Sequence, residues 1–260
     1  MNLNLKNKYA LVCGSTQGIG KATAIALAFE GVHVTLAARN EEKLKQVLSE
    51  LPNPENHTYI VADFSNPEDL HSKVVSFIQK NHGFHILVNN TGGPKSGAIL
   101  DASISEFENA FTQHIKCNHL LAQALIPFMK TEGFGRIINI ISTSVKEPIP
   151  GLGVSNTIRA AVGNWSKTLS SEVGALGITV NNVLPGFTDT ERIAEIIKIK
   201  AKNEGISIEE MTTAMKNYSP AKRFATPEEI ANAVVFLASE AANYINGINL
   251  PVDGGRTKSL

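Results

Sequence analysis

Short apolar runs and helix-patterned stretches alternate six times along this chain of 260 residues. "KYALVC" opens the series as an apolar strand. After a glycine turn, Ile19, Ala22, Ile25, Ala26 and Phe29 recur near helical spacing. "VHVTLAARN", "HTYIVADFS", "HILVNNTGG", "GRIINIIST" and "ITVNNVLPGFT" are the following strands, and "NGINLPVDGG" is the seventh. The stretches between them read as helices, with breaks placing two at 103–110 and 112–131 and a long one over 153–176. Strands covered by helices on both faces need near-continuous apolar character, and "RIINII" and "ITVNNVL" have it. The pattern predicts a doubly wound, seven-stranded parallel sheet in one Rossmann-like α/β domain over 1–260. Ligands of such a sheet bind beyond the carboxyl ends of its strands. Residues 187–222 interrupt the alternation and read as a helical excursion on the substrate side, a candidate mobile lid.

Composition narrows the function classes. Lys plus Arg and Asp plus Glu both number 24, so no global basic field points to nucleic acid. Two cysteines, Cys13 and Cys117, make neither a disulfide framework nor a metal cluster. No run reaches the length of a membrane span, and the first residues lack a signal-peptide pattern, so the expectation is a cytoplasmic protein without a membrane partner.

"GSTQGIG" places Gly14, Ser15, Gly18, Ile19 and Gly20 between the first strand and the first helix. Glycines there permit a tight turn and close approach to a pyrophosphate, and the helix start offers free N–H groups to the anion. The end of the second strand refines this. A cofactor without a 2′-phosphate usually meets a carboxylate there, but this chain has Ala38, Arg39 and Asn40. Arg39 can grip a phosphate, which favours NADP over NAD. Asp63 is placed to meet the adenine amino group with Phe64 packed nearby. Asn90 is the better contact after strand four, and Asn89 reads as internal scaffolding.

Together these segments resemble the short-chain dehydrogenase/reductase family, close in layout to its 3-oxoacyl-[acyl-carrier-protein] reductases. "CGSTQGIG" is similar to the family's Thr-Gly-x-x-x-Gly-x-Gly, with Cys13 for threonine, and "NNTG" to its Asn-Asn-Ala-Gly, with Thr91 for alanine. "LPGFTDT" resembles the Pro-Gly motif at the nicotinamide, here Pro185, Gly186 and Thr190. The resemblance implies a carbonyl or alcohol substrate, hydride transfer with a nicotinamide cofactor, and a homodimer or homotetramer. It also implies a tetrad of serine, tyrosine, lysine and asparagine. Ser142 stands at the serine position, but the other three hold Ser155, Arg159 and His114.

The substitutions set the chemical question. Ser155 and Arg159 are four apart and share a helix face. Arg159 keeps a cation for ribose or phosphate oxygens. Ser155 can hydrogen-bond a carbonyl with Ser142, but it lacks the acidity of a tyrosine beside a cation. His114 acting through water is one candidate donor; a histidine packed against the sheet is the other reading. Lys146, Glu147 and Tyr218 are further candidates, and Lys95 is a candidate for an anionic substrate. Substrates already activated, such as quinones, enones or diketones, need less acid. Three functions stay open on sequence: an NADP-dependent oxidoreductase with a non-standard site, an NADP-binding regulatory protein with little turnover, and a dehydratase or isomerase on the same scaffold.

Overall fold

The computed structural model describes residues 2–259. Strands β1 (Tyr9–Cys13), β2 (His33–Ala38), β3 (Thr58–Val61), β4 (Ile86–Asn89), β5 (Gly135–Ile140), β6 (Ile178–Pro185) and β7 (Asn249–Val252) form one sheet. All of its pairings are parallel, and the order is β3-β2-β1-β4-β5-β6-β7. The expected seven-stranded doubly wound sheet is therefore present. Its winding reverses between β1 and β4, which opens the crevice at their carboxyl ends.

Helices α1 (Gly18–Phe29), α2 (Glu41–Glu50) and α3 (Pro67–Lys80) alternate with the first strands. α4 (Ile104–Phe111), α5 (Cys117–Glu132) and α6 (Gly153–Val173) flank β5 in sequence; α7 (Glu191–Glu204), α8 (Ile208–Asn217) and α9 (Pro227–Ala238) precede β7. Successive strand residues point to opposite faces, and the core divides accordingly. Val12, Val88 and Ile138 join Leu27 of α1 with Ile230 and Val234 of α9. Their neighbours Leu11, Leu87 and Ile137 join Leu70, Val74, Leu121 and Leu125 of α3 and α5 on the other face. Every residue of β4 and β5 is buried, as helices on both faces require.

One local feature departs from the sequence reading. The break expected near 111 is absent: α4 runs into α5 through a π-helical turn at Thr112–Lys116. An extra residue in the turn throws off the apolar period, so one continuous helix reads as two. The excursion after β6 folds as α7 and α8 around a small core of its own, built from Ile193, Ile197, Ala201, Met211 and Met215.

Four strands also carry asparagines in register: Asn89 pairs with Asn139, Asn139 with Asn182, and Asn182 with Asn249. Their amides bond in sequence across the sheet, Asn89 Nδ2 to Asn139 Oδ1 at 2.8 Å, Asn139 Nδ2 to Asn182 Oδ1 at 3.0 Å and Asn182 Nδ2 to Asn249 Oδ1 at 2.8 Å. Ser166 of α6 closes the group by donating to Asn182 Oδ1 at 2.8 Å. This largely buried polar row is tolerated because its members supply most of one another's hydrogen bonds, Asn89 Oδ1 alone among the four side chains being buried without a partner. It also anchors the strand ends that lead to Asn90 and to Ser142.

Candidate active site

The crevice at the switch point is a cleft of about 780 Å³. Its floor is the glycine turn. Gly14 has φ +58°, and a Cβ there would stand 2.4 Å from the Asn90 carbonyl oxygen. A Cβ on Gly20 would meet the Gly14 carbonyl oxygen at 2.2 Å. Both positions exclude any larger residue. Asn90 braces the turn by donating from Nδ2 to the carbonyls of Cys13 and Gly14, at 3.3 and 3.2 Å. On the other side the β6–α7 connection closes in, with Thr190 Cγ2 3.1 Å from the position of a Cβ on Gly18.

α1 begins at this turn with no side-chain cap and no acidic residue in its first turn. By contrast α2, α3, α4, α8 and α9 are all capped by a side chain. The uncapped N–H groups of α1 thus face the cleft as a ready anion site. Arg39 and Lys43 line the same end, where no carboxylate follows Ala38. Asp63 lies opposite; the Ser65 backbone N–H holds its carboxyl below the usual range, with a smaller contribution from Arg39. These residues fit a dinucleotide carrying an additional phosphate on its adenosine ribose.

The other end of the cleft holds the substituted tetrad. Ser142 follows β5, and its Oγ accepts from Ser144 N at 3.1 Å, which leaves the hydroxyl proton free to donate. Ser155 lies on the first turns of α6, half-buried, and its hydroxyl bonds no described residue. Arg159 is 8% exposed and donates from Nη1 to the Ile140 carbonyl at 2.6 Å. Burial first, and the like charge of Arg192 second, push its pKa down to about 10, so it stays cationic at neutral pH. Gly93 of the β4 loop passes beside its Nη2, which would lie 3.5 Å from a Cβ at that position, an ordinary contact.

His114 is placed differently. It sits in the π turn, 4% exposed, and its ring does not line the cleft. Nδ1 hydrogen-bonds Thr91 Oγ1 at 2.9 Å, while Nε2 has no well-formed partner. Burial, and then the charge on Arg159, push its pKa down to about 3, with only partial relief from the Gly92 backbone. At neutral pH the ring is uncharged. The expectation that set His114 among the groups exchanging protons thus meets a histidine packed inside the molecule.

Most other expected contacts line the cleft: Gly14, Gly18, Ile19, Arg39, Asp63, Phe64, Asn90, Pro185, Gly186 and Thr190. Ser15 and Gly20 do not. Ser15 is fully buried behind the turn, where its Oγ accepts from Ala37 N at 3.1 Å. Lys95, Lys146, Glu147 and Tyr218 also stand off the lining, and Glu147 instead binds the backbone N–H groups of Lys258 and Ser259. Three basic residues of the lining were not anticipated. Lys43 reads in sequence as one of many charges on an amphipathic helix. Arg192 of α7 donates from Nη2 to the Pro94 carbonyl at 2.9 Å, tying the excursion to the β4 loop. Arg256 lies beyond β7, donates from Nη1 to Thr143 Oγ1 at 2.9 Å and stacks over Phe187 at 4.5 Å. Two consecutive glycines with positive φ, Gly254 and Gly255, turn the chain to bring it there. No tyrosine, histidine or cysteine is among the described residues lining the cleft.

Comparisons with known proteins agree with the fold. A family model described as enoyl-(acyl carrier protein) reductase matches residues 14–257. A 3-oxoacyl-[acyl-carrier-protein] reductase, FabG of Rickettsia bellii, is 34% identical over 253 residues, 97% of this chain and 98% of that protein. The NADPH-dependent reductase BacG of Bacillus subtilis is 30% identical over 259 residues, 98% of this chain and 100% of its own. Among solved structures, L-sorbose reductase from Gluconobacter frateurii, complexed with NADPH and L-sorbose, is 33% identical with a TM-score of 0.93, each chain covered at 100%.

Proposed function

The chain belongs to the short-chain dehydrogenase/reductase family, and from that premise we propose that it reduces an electron-poor carbonyl or enone through two serine hydroxyls. It is an NADP(H)-dependent oxidoreductase. NADPH, when bound, supplies the hydride. The uncapped start of α1 and the Gly14 turn would hold the pyrophosphate, Arg39 and Lys43 would take the ribose phosphate, and Pro185, Gly186 and Thr190 would border the nicotinamide.

One observation carries the chemical half of the reading: Ser142, Ser155 and Arg159 open on one cleft whose described lining has no histidine, cysteine or tyrosine. Ser142, whose Oγ already accepts a backbone bond, points its proton at the substrate oxygen. Ser155 adds a second donor, and Arg159 sets a fixed positive charge one helical turn away. The oxygen is thus polarised while solvent delivers the proton. His114 is neutral in this scheme and braces Thr91 beneath the loop.

Such a site favours acceptors whose reduction needs little acid catalysis. Consumption of NADPH, followed by nicotinamide absorbance, is expected with quinones, enones and vicinal diketones and not with simple dialkyl ketones. Ser142→Ala is expected to lower kcat/KM by about 100-fold. Equal rates with simple ketones and activated acceptors would overturn the assignment, as would full activity in a variant lacking both serines.

A further inference from the structure

Arg256 is a costly residue for the protein to have placed where it is. Its guanidinium is half-buried against Phe187, and burial lowers its pKa. Its described hydrogen bonding is one bond, from Nη1 to Thr143 Oγ1. No carboxylate of the described residues lies within 4.0 Å. Two acids are close enough to be felt, Asp253 and Glu147, but both are engaged elsewhere. Asp253 accepts from the backbone of Gly255 at 3.0 Å and Thr257 at 2.8 Å. Glu147 accepts from Lys258 at 2.7 Å and Ser259 at 3.0 Å. These bonds fix the tail that carries Arg256, which lines the cleft with most of its donors lacking a described hydrogen-bond partner. A guanidinium has five N–H donors in a planar fork that matches a carboxylate.

Its position links this charge to the reacting end. The partner Thr143 directly follows Ser142, and Arg256, Ser142 and Ser155 all line one cleft. We propose that Arg256 is an anion-recognition residue for the substrate, and that the acceptor reduced here carries a carboxylate. A carboxylate fits better than a phosphate dianion, because Asp253 and Glu147 reduce the local positive potential and the fork is flat. This inference rests on the reductase reading for the identity of the ligand, but its test does not depend on turnover.

The test is calorimetric titration of the wild-type protein, with and without NADP, using β-acetylacrylate and its methyl ester. The pair shares one enone and differs in one charge. The acid is expected to bind at least about tenfold more tightly than the ester, as a charge-assisted pair in a partly desolvated site should. Arg256→Gln is expected to erase that preference with NADP affinity unchanged, and Arg256→Lys to keep part of it. Should the Gln variant fail to fold, Arg256→Met retains the stem over Phe187 and carries the same expectation. Equal binding of acid and ester, no binding of the acid, or a preference surviving in the Gln or Met variant overturns the proposal. NADPH consumption separates the two readings. An acid preference without consumption of any activated acceptor refutes the reductase chemistry alone. Consumption with equal kcat/KM for acid and ester refutes the role of Arg256 alone.

Discussion

Acidifying the protein from about pH 7 to about pH 5 tests whether His114 is the neutral, interior group that the structure describes. Its pKa in the folded chain is about 3, against an ordinary value of 6.5. The unfolded chain therefore binds the proton more readily. Stability associated with this residue is intact above about pH 6.5 and is lost as pH falls toward the folded value. Between about pH 7 and about pH 5 that loss amounts to about 2 kcal/mol, from the ratio of protonated populations in the two states. Other histidines titrate in the same range; His57, His82 and His85 are also held below the ordinary value, mainly by burial. The informative quantity is thus a difference between proteins. His114→Asn keeps a polar partner for Thr91 and removes the titration. Urea unfolding of both proteins without nucleotide should show the wild type losing about 2 kcal/mol more than the variant over that interval. Parallel losses would mean that His114 is solvated or already charged in the folded state. That result would refute the neutral-brace assignment and return His114 to the list of proton donors.

Three further outcomes are expected. Arg39→Asp replaces an attraction for the ribose phosphate with repulsion, so NADPH affinity should fall by about tenfold or more while NADH affinity rises, read by fluorescence titration. Gly14→Ala forces a side chain at φ +58° and 2.4 Å from the Asn90 carbonyl, and should abolish nucleotide binding and cost about 2 kcal/mol of stability in urea. Asn139→Ala removes the acceptor of Asn89 Nδ2 and a donor to Asn182 and Ser166, and should cost about 3 kcal/mol in the same assay.

Much of this molecule is legible in the order of its residues. The inner strands β4, β5 and β6 announce themselves as near-continuous apolar runs, because a sheet covered on both faces leaves no alternation to obscure them. The glycine turn and Arg39 follow from their places at strand ends, while Ser142, Ser155 and Arg159 follow from the resemblance, as the positions that match the family's catalytic motif. Interactions that depend on the third dimension stay hidden. The four asparagines look like polar interruptions of separate strands, and only the register makes them neighbours. Ser15 reads as a ligand contact within a ligand-contacting motif, yet it turns inward to hold the backbone of Ala37. Arg256 is more than a hundred residues from Thr143, and nothing local to "DGGRT" tells which wall of the cleft it will reach.

The π turn at Thr112–Lys116 makes α4 and α5 a single shaft with two faces set out of phase. One extra residue advances the helix by about 100°. Before the turn, Ala110 seats against Val154 and Ile158 of α6; beyond it, Leu121, Leu125 and Met129 seat against the sheet. A one-residue slip beyond the turn would set Ala122 and Ile126 where Leu121 and Leu125 now lie. The same offset decides what position 114 can do. Its side chain sits in the phase jump, so a change there touches the shaft's winding first and is felt in the cleft through Thr91 and the neighbouring charge of Arg159.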